Sequence, residues 1–107
     1  MKKLTKDEIE FFLKEHNIKN FTINSDLTVD VNGSVDLSNK GLTAIPVSFR
    51  NIKGWFDVSN NQLTTLKGCP KNVGGNFDCS NNQLTTLEGC PVNLEMLDCS
   101  HNQLFNK

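Results

Sequence analysis

The chain lacks any marked excess of charge. Its 107 residues carry 11 Lys and Arg against 12 Asp and Glu, a net charge of -1. Nucleic-acid-binding domains usually present a clustered basic face, and this balance supplies none. Long apolar runs are also missing. Nothing approaches the roughly 20 residues that a membrane-spanning helix needs. The segment Met1 to Glu10 is charged and has no apolar core of the secretory kind. The expectation is a cytoplasmic protein that contacts neither membrane nor nucleic acid, with its four cysteines reduced. Histidine is scarce: only His16 and His101 occur, far apart in the chain. No Cys-x-x-Cys is present. Cys69, Cys79, Cys90 and Cys99 are spaced by 10, 11 and 9 residues. Structural zinc sites usually take ligands in pairs a few residues apart, so this spacing argues against one. There is no Gly-rich phosphate loop, and no cysteine or serine has the partners of a nucleophile. The reading is a non-enzymatic chain with no metal and no cofactor.

What the chain does contain is repetition. Asn76-Phe77-Asp78-Cys79-Ser80-Asn81-Asn82-Gln83-Leu84-Thr85-Thr86-Leu87 recurs nearly letter for letter from Phe56 to Leu66. It returns from Leu97 to Leu104, and a looser copy runs from Val35 to Ile45. Aligning Val35, Phe56, Phe77 and Leu97 gives periods of 21, 21 and 20. Units of that size cannot bury an apolar face alone and must stack. Phe56, Val58, Leu63 and Leu66 are the inward anchors of one turn, and Phe77, Cys79, Leu84 and Leu87 those of the next. Successive turns should pair as parallel strands about 4.8 Å apart. Asn61, Asn82 and Asn102 fall where the chain leaves the strand, where an amide can satisfy loop groups as an Asn ladder. Lys40 takes that place in the first copy. Pro46, Pro70 and Pro91 push the residue before each into extended geometry, so the convex segments are expected to be extended or irregular rather than helical.

Leu94-x-x-Leu97-x-Cys99-x-x-Asn102-x-Leu104 resembles the leucine-rich repeat consensus, with Cys in the second strand position. The wording around Val58 to Leu63 and the three prolines are similar to the short bacterial type of repeat. The resemblance implies an α+β, mostly β solenoid of about 3.5 turns over residues 34–107. The helix-and-hairpin start looks like that of small proteins carried by bacteria and their phages. By that likeness the chain would bind and modulate a host or defence protein.

Residues 1–33 read as a cap. Leu4-Thr5-Lys6-Asp7-Glu8-Ile9 combines a capping box (Thr5 with Glu8) and a hydrophobic staple (Leu4 with Ile9). A helix is predicted over about 6–16, with Phe11, Phe12 and Leu13 as a plug over the end of the stack. From Asn20 the period falls to two, and Asn32-Gly33 between alternating runs predicts a hairpin turn. Helix plus antiparallel meander would make the cap.

Strand residues between the inward anchors should face outward on the concave side. Asp36, Asp57, Asp78 and Asp98 then form one column, and Ser38, Ser59, Ser80 and Ser100 another. Trp55, Asn76 and Met96 flank the aspartates on one side, and Asn60, Asn81 and His101 on the other. Carboxylates about 5 Å apart repel by about 1 kcal/mol per neighbour in water. The column is either compensated by a basic partner or is filler inherited as the repeat duplicated. The candidate partner-binding residues are Trp55, Asp57, Asn76, Asp78, Met96, Asp98 and His101. A second candidate is the last turn, where Leu97, Cys99, Leu104 and Phe105 would expose an apolar end, open to a homodimer or to docking.

Overall fold

A computed structural model describes residues 4–104 of the chain. One helix, α1 (Lys6–Glu15), precedes eight short strands: β1 (Phe21–Ile23), β2 (Thr28–Val31), β3 (Val35–Asp36), β4 (Ser48–Ile52), β5 (Phe56–Asp57), β6 (Asn72–Val73), β7 (Asn76–Asp78) and β8 (Met96–Asp98). The strands form two sheets, in the orders β1-β2-β4-β6 and β3-β5-β7-β8. All pairs are parallel except β1 with β2. The chain alternates between the sheets, so the architecture is a mostly β solenoid of about three turns with one short helix.

The register follows the repeat. Val35 pairs with Phe56, Phe56 with Phe77, and Phe77 with Leu97. These positions point into the space between the sheets because side chains alternate along a strand. Phe56 and Phe77 are fully buried and stack with ring centroids 5.8 Å apart. Phe49 of the first sheet meets Phe56 edge-on at 5.1 Å. Burying a side chain of this size contributes about 1.5–3 kcal/mol by area. Val58, Leu63, Leu66, Cys79 and Leu84 complete the second-sheet side of the core; Val29, Val31, Ile52 and Val73 complete the first-sheet side.

The helix starts as its sequence dictates. Thr5 Oγ1 accepts from the Glu8 N–H at 3.2 Å, and Glu8 Oε1 accepts from the Thr5 N–H at 2.8 Å. Ile9 and Leu13 are buried in the common core, joined by Ile18 just beyond the helix. Phe12 packs beside His16, ring centroids 4.2 Å apart, while Phe11 is exposed and takes no part in a plug.

Two expectations are corrected. Asn32-Gly33 is not a hairpin turn. Neither residue has the positive φ that such a turn requires, and β2 and β3 belong to different sheets. The segment is a corner of the coil. The Gly54 N–H reaches Gly33 O, and the Gly75 N–H reaches Gly54 O, both at 2.9 Å. Pairing with the next turn therefore displaces the local antiparallel closure. The hairpin is β1–β2, closed through Asn24 to Leu27, with Asp26 Oδ1 accepting from the N–H and hydroxyl of Thr28.

The convex segments are likewise not irregular. Ser48–Ile52 and Asn72–Val73 are parallel strands that extend the first sheet from β2, and a bridge from Asn72 to Asn93 carries the pairing one turn further. Extended geometry at and after each proline lets one turn's backbone groups meet those of the next. The first two repeat units thus supply two strands each, one per sheet, and the third a strand and a bridge.

Candidate functional site

The outward face of the second sheet is built by register. Asp36, Asp57, Asp78 and Asp98 stand in line on β3, β5, β7 and β8. Each carboxylate uses one oxygen locally. Asp36, Asp57, Asp78 and Asp98 Oδ1 accept from the N–H of Ser38, Ser59, Ser80 and Ser100 at 2.8–3.1 Å. Three of the serine hydroxyls also donate to the same oxygen: Ser38 at 2.6 Å, Ser80 at 2.7 Å and Ser100 at 2.7 Å. Hydrogen bonds to the ionised form favour it. The Ser38 hydroxyl, followed by its N–H, holds Asp36 below the usual carboxylate range, and Ser100 does the same for Asp98. Among the described residues no hydrogen bond reaches Oδ2 of any of the four aspartates.

The serine column is a surface only at its ends, with Ser38 half-buried and Ser100 exposed. Ser59 and Ser80 are buried, drawn under the aspartates they serve. Asn39, Asn60, Asn81 and His101 follow the serines, and all four have φ of 56–57°. Asparagine tolerates this left-handed region better than other side-chain-bearing residues. The recurrence of Asn there is a backbone requirement, and His101 takes the same conformation in the last turn.

Trp55, Asn76 and Met96 occupy one column, a residue ahead of Phe56, Phe77 and Leu97. Trp55 is 46% exposed and Met96 65%. Trp55, Phe56, Asp57, Asn76 and Asp78 line a shallow depression of about 190 Å³. Asp57, Asp78 and Asp98 continue past it to the last turn, with Met96 beside Asp98; His101 lies apart, at the bend.

Beneath this face runs the amide ladder. Asn61 Oδ1 accepts from the N–H of Lys40 and of Leu42, and its Nδ2 reaches Leu37 O, Val58 O and Ser59 O. Asn82 Oδ1 accepts from the Leu63 N–H at 2.9 Å, and its Nδ2 faces Val58 O, Cys79 O and Ser80 O at 3.0–3.1 Å. Asn102 repeats the pattern toward Leu84, Cys79, Cys99 and Ser100.

A second ladder escaped the sequence reading. On the first sheet, Asn72 Nδ2 donates to Asn51 Oδ1 at 2.7 Å, and Asn93 Nδ2 to Asn72 Oδ1 at 2.6 Å. Its only signal was the 21-residue spacing of three asparagines. At its start Arg50 makes a two-pronged ion pair with Asp30, at 2.6 and 3.1 Å. That pair holds the Asp30 carboxyl below its ordinary range and the Arg50 guanidinium above its own.

The family-model, curated-protein and solved-structure searches return no match. Function must therefore be argued from the geometry.

Cys69 and Cys79 are buried and Cys90 and Cys99 half-buried, all as free thiols. Burial, reinforced by neighbouring thiols, pushes the Cys79 pKa up to about 12 and raises those of Cys69 and Cys90. Such thiols are poor nucleophiles and poor ligands near neutral pH. Among the described residues no three His, Cys, Asp or Glu side chains gather to hold a metal ion. No described helix is long and apolar enough to cross a membrane.

At the last turn, Leu97 is 39% exposed where Phe56 and Phe77 are fully buried. Cys99 and Leu104 are half-buried. Phe105, the remaining member of the predicted end contact, lies outside the described residues.

Proposed function

We propose that the chain is a short leucine-rich repeat array that binds another protein through the outward face of its second sheet. In this reading α1 and the β1–β2 hairpin cap the first turn. The supporting observation is the aspartate column with an unused Oδ2 on each carboxylate, bordered by exposed Trp55 and Met96. Arginine or lysine side chains from a basic partner surface would pair with Asp57, Asp78 and Asp98. Trp55 and Asn76 would hold the stem of one such side chain in the depression, the indole face favouring a cation. No catalysis is assigned to the face.

The test is capture of the partner from the native host, followed by affinity measurement with the double variant Asp57→Asn, Asp78→Asn, which removes the charge and keeps each Oδ1 acceptor. Binding should be abolished while circular dichroism stays unchanged. Unchanged affinity would move the site elsewhere.

A second reading is favoured by the half-exposed Leu97: an assembly piece that dimerises or docks through its last turn. A closed end-to-end dimer would be two-fold and isologous. A monomer at high micromolar concentration in the ultracentrifuge removes the dimer.

A further inference from the structure

The pairing of β2 with β4 slips by one residue. Val29 faces Phe49 and Val31 faces Ile52, so Asp30 alone stands against two residues, Arg50 and Asn51. This is a β-bulge, uncommon between parallel strands, and bulges re-aim side chains. Here Phe49 and Ile52 stay buried, while Arg50 and Asn51 both turn outward. Asp30 takes up the groups this exposes. Its Oδ1 accepts from the Asn51 N–H at 3.0 Å and from Arg50 Nε at 3.1 Å. Its Oδ2 accepts from Arg50 Nη2 at 2.6 Å and from Asn24 Nδ2 at 3.2 Å. An ionised carboxylate offers about four such positions, so Asp30 is saturated as well as charge-paired.

Beside the bulge lies a cleft of about 370 Å³, larger than the depression of about 190 Å³ at Trp55. Buried Val31 and Ile52 form its floor, and Asn20, Thr22, Asp30, Asn32, Asn51 and Lys53 stand around it. With Asp30 spent, the charge left in the cleft is positive. Lys53 forms no ion pair among the described residues, and an ammonium only donates. Asn51 Oδ1 is already engaged by Asn72 Nδ2 at 2.7 Å, so Asn51 chiefly offers its own Nδ2. Thr22, Asn20 and Asn32 can donate or accept.

We infer that this cleft binds a small organic acid, its carboxylate or phosphate on Lys53 and Asn51 and its body against Val31 and Ile52. The volume suits a small molecule rather than a bare ion. An amine would meet Lys53 with like charge and find Asp30 without a free position. The site belongs to the first sheet and is separate from the aspartate column, whose spare oxygens call for the opposite charge.

The test is amide NMR on the isotope-labelled full chain, titrated in turn with benzoate, phenyl phosphate, neutral benzamide and benzylamine. At least one of the two acids should give saturable shifts at Asn51, Lys53 and the side-chain amides of Asn20 and Asn32, half-saturated below about 10 mM. The tighter of the two names the oxyanion. Benzamide and benzylamine should not saturate. Lys53→Gln should weaken acid binding by about tenfold. Lys53→Glu should abolish it and let the cleft take benzylamine, an exchange that a merely structural lysine would not give. Lys71→Gln, exposed beside Asn72 on the same sheet, should change nothing. The spectrum of each variant also reports its fold. No saturation by either acid, benzamide binding as tightly as benzoate, or acid binding that survives Lys53→Gln overturns the inference. So do shifts spread evenly over the surface lysines.

Discussion

Asn82→Ala is the substitution that tests the architecture most directly. Asn82 is 7% exposed and its side chain joins two turns of chain. Its removal strips the Leu63 N–H of its acceptor and takes one of two amide donors from Val58 O and from Cys79 O, which keep those of Asn61 and Asn102. Leu63, Val58 and Cys79 are fully buried, so water cannot replace the amide without opening the stack. An unmatched buried polar group costs about 1–3 kcal/mol. One such group, with one bond lost at each of two carbonyls that keep another, gives an expected loss of about 2–3 kcal/mol. Against a typical domain stability of about 5–15 kcal/mol this is a large fraction. With a urea slope near 1–3 kcal/mol per molar, the midpoint should fall by roughly 1 M. Far-ultraviolet circular dichroism and Trp55 fluorescence read the same transition if unfolding is two-state. Asn102→Ala makes the internal control. Its bonds have the same lengths and include one from the N–H of buried Leu84, but they lie in the last described turn, where Asn102 and Cys99 are only half-buried and Ser100 is exposed. Water can satisfy part of what is lost, so about 1 kcal/mol is expected. Equal losses at the two positions, or a loss below about 1 kcal/mol at Asn82, would refute the argument that the ladder matters through burial.

Two further outcomes follow from local geometry and charge. At the corner between β6 and β7, a Cβ on Gly74 would collide with the backbone carbonyl oxygen of Lys53, whereas one on Gly75 would meet its nearest neighbours at 3.4–3.5 Å. Gly74→Ala should cost about 1–3 kcal/mol and Gly75→Ala within about 0.5 kcal/mol; calorimetry showing no difference would refute the clash. Asp30, Asp36 and Asp98 have folded-state pKa values below the ordinary 3.8, so the unfolded chain binds more protons and stability rises with pH in that window. Their contribution is held above about pH 4 and lost as pH falls through the lowered values. The urea midpoint should drop below about pH 4, less steeply once Arg50→Met releases Asp30, and a midpoint flat to about pH 3 would contradict the assignment.

The sequence exposed the second sheet far better than the first. Each turn of the second sheet reuses the same residues, so Phe56, Phe77 and Leu97 announce both their period and their register. The helix was legible for a local reason, since the Thr5–Glu8 box lies within four residues. The first sheet was hidden because its segments differ from turn to turn. Pro46 to Ile52 and Pro70 to Val73 differ in length and share little wording, and their pairing partners lie 21 residues away. Asn32-Gly33 misled for a complementary reason. A strong local turn preference was overruled by hydrogen bonds that exist only once the next turn is laid down. The serine column was misjudged because outward alternation does not reveal that a short hydroxyl folds back under its neighbour.

The aspartate column is where fold and recognition have to be separated. Its repetition alone argues for neither, because Asp-x-Ser recurs wherever the turn recurs. The turn needs an acceptor for the N–H of the residue two ahead, and Oδ1 supplies it at 2.8–3.1 Å in all four copies. An asparagine would supply the same oxygen without a charge. The charge strengthens these hydrogen bonds, yet it also sets carboxylates about one strand spacing apart, at a cost of about 1 kcal/mol per neighbour in water. Fold stability therefore accounts for the oxygen and gives little net reason for the charge. The neighbouring column points the same way. Trp55, Asn76 and Met96 share one backbone position without sharing a chemistry, so the stack does not dictate them. Charge that the turn does not require, beside side chains that the stack does not choose, is the part of this surface that the fold leaves undetermined.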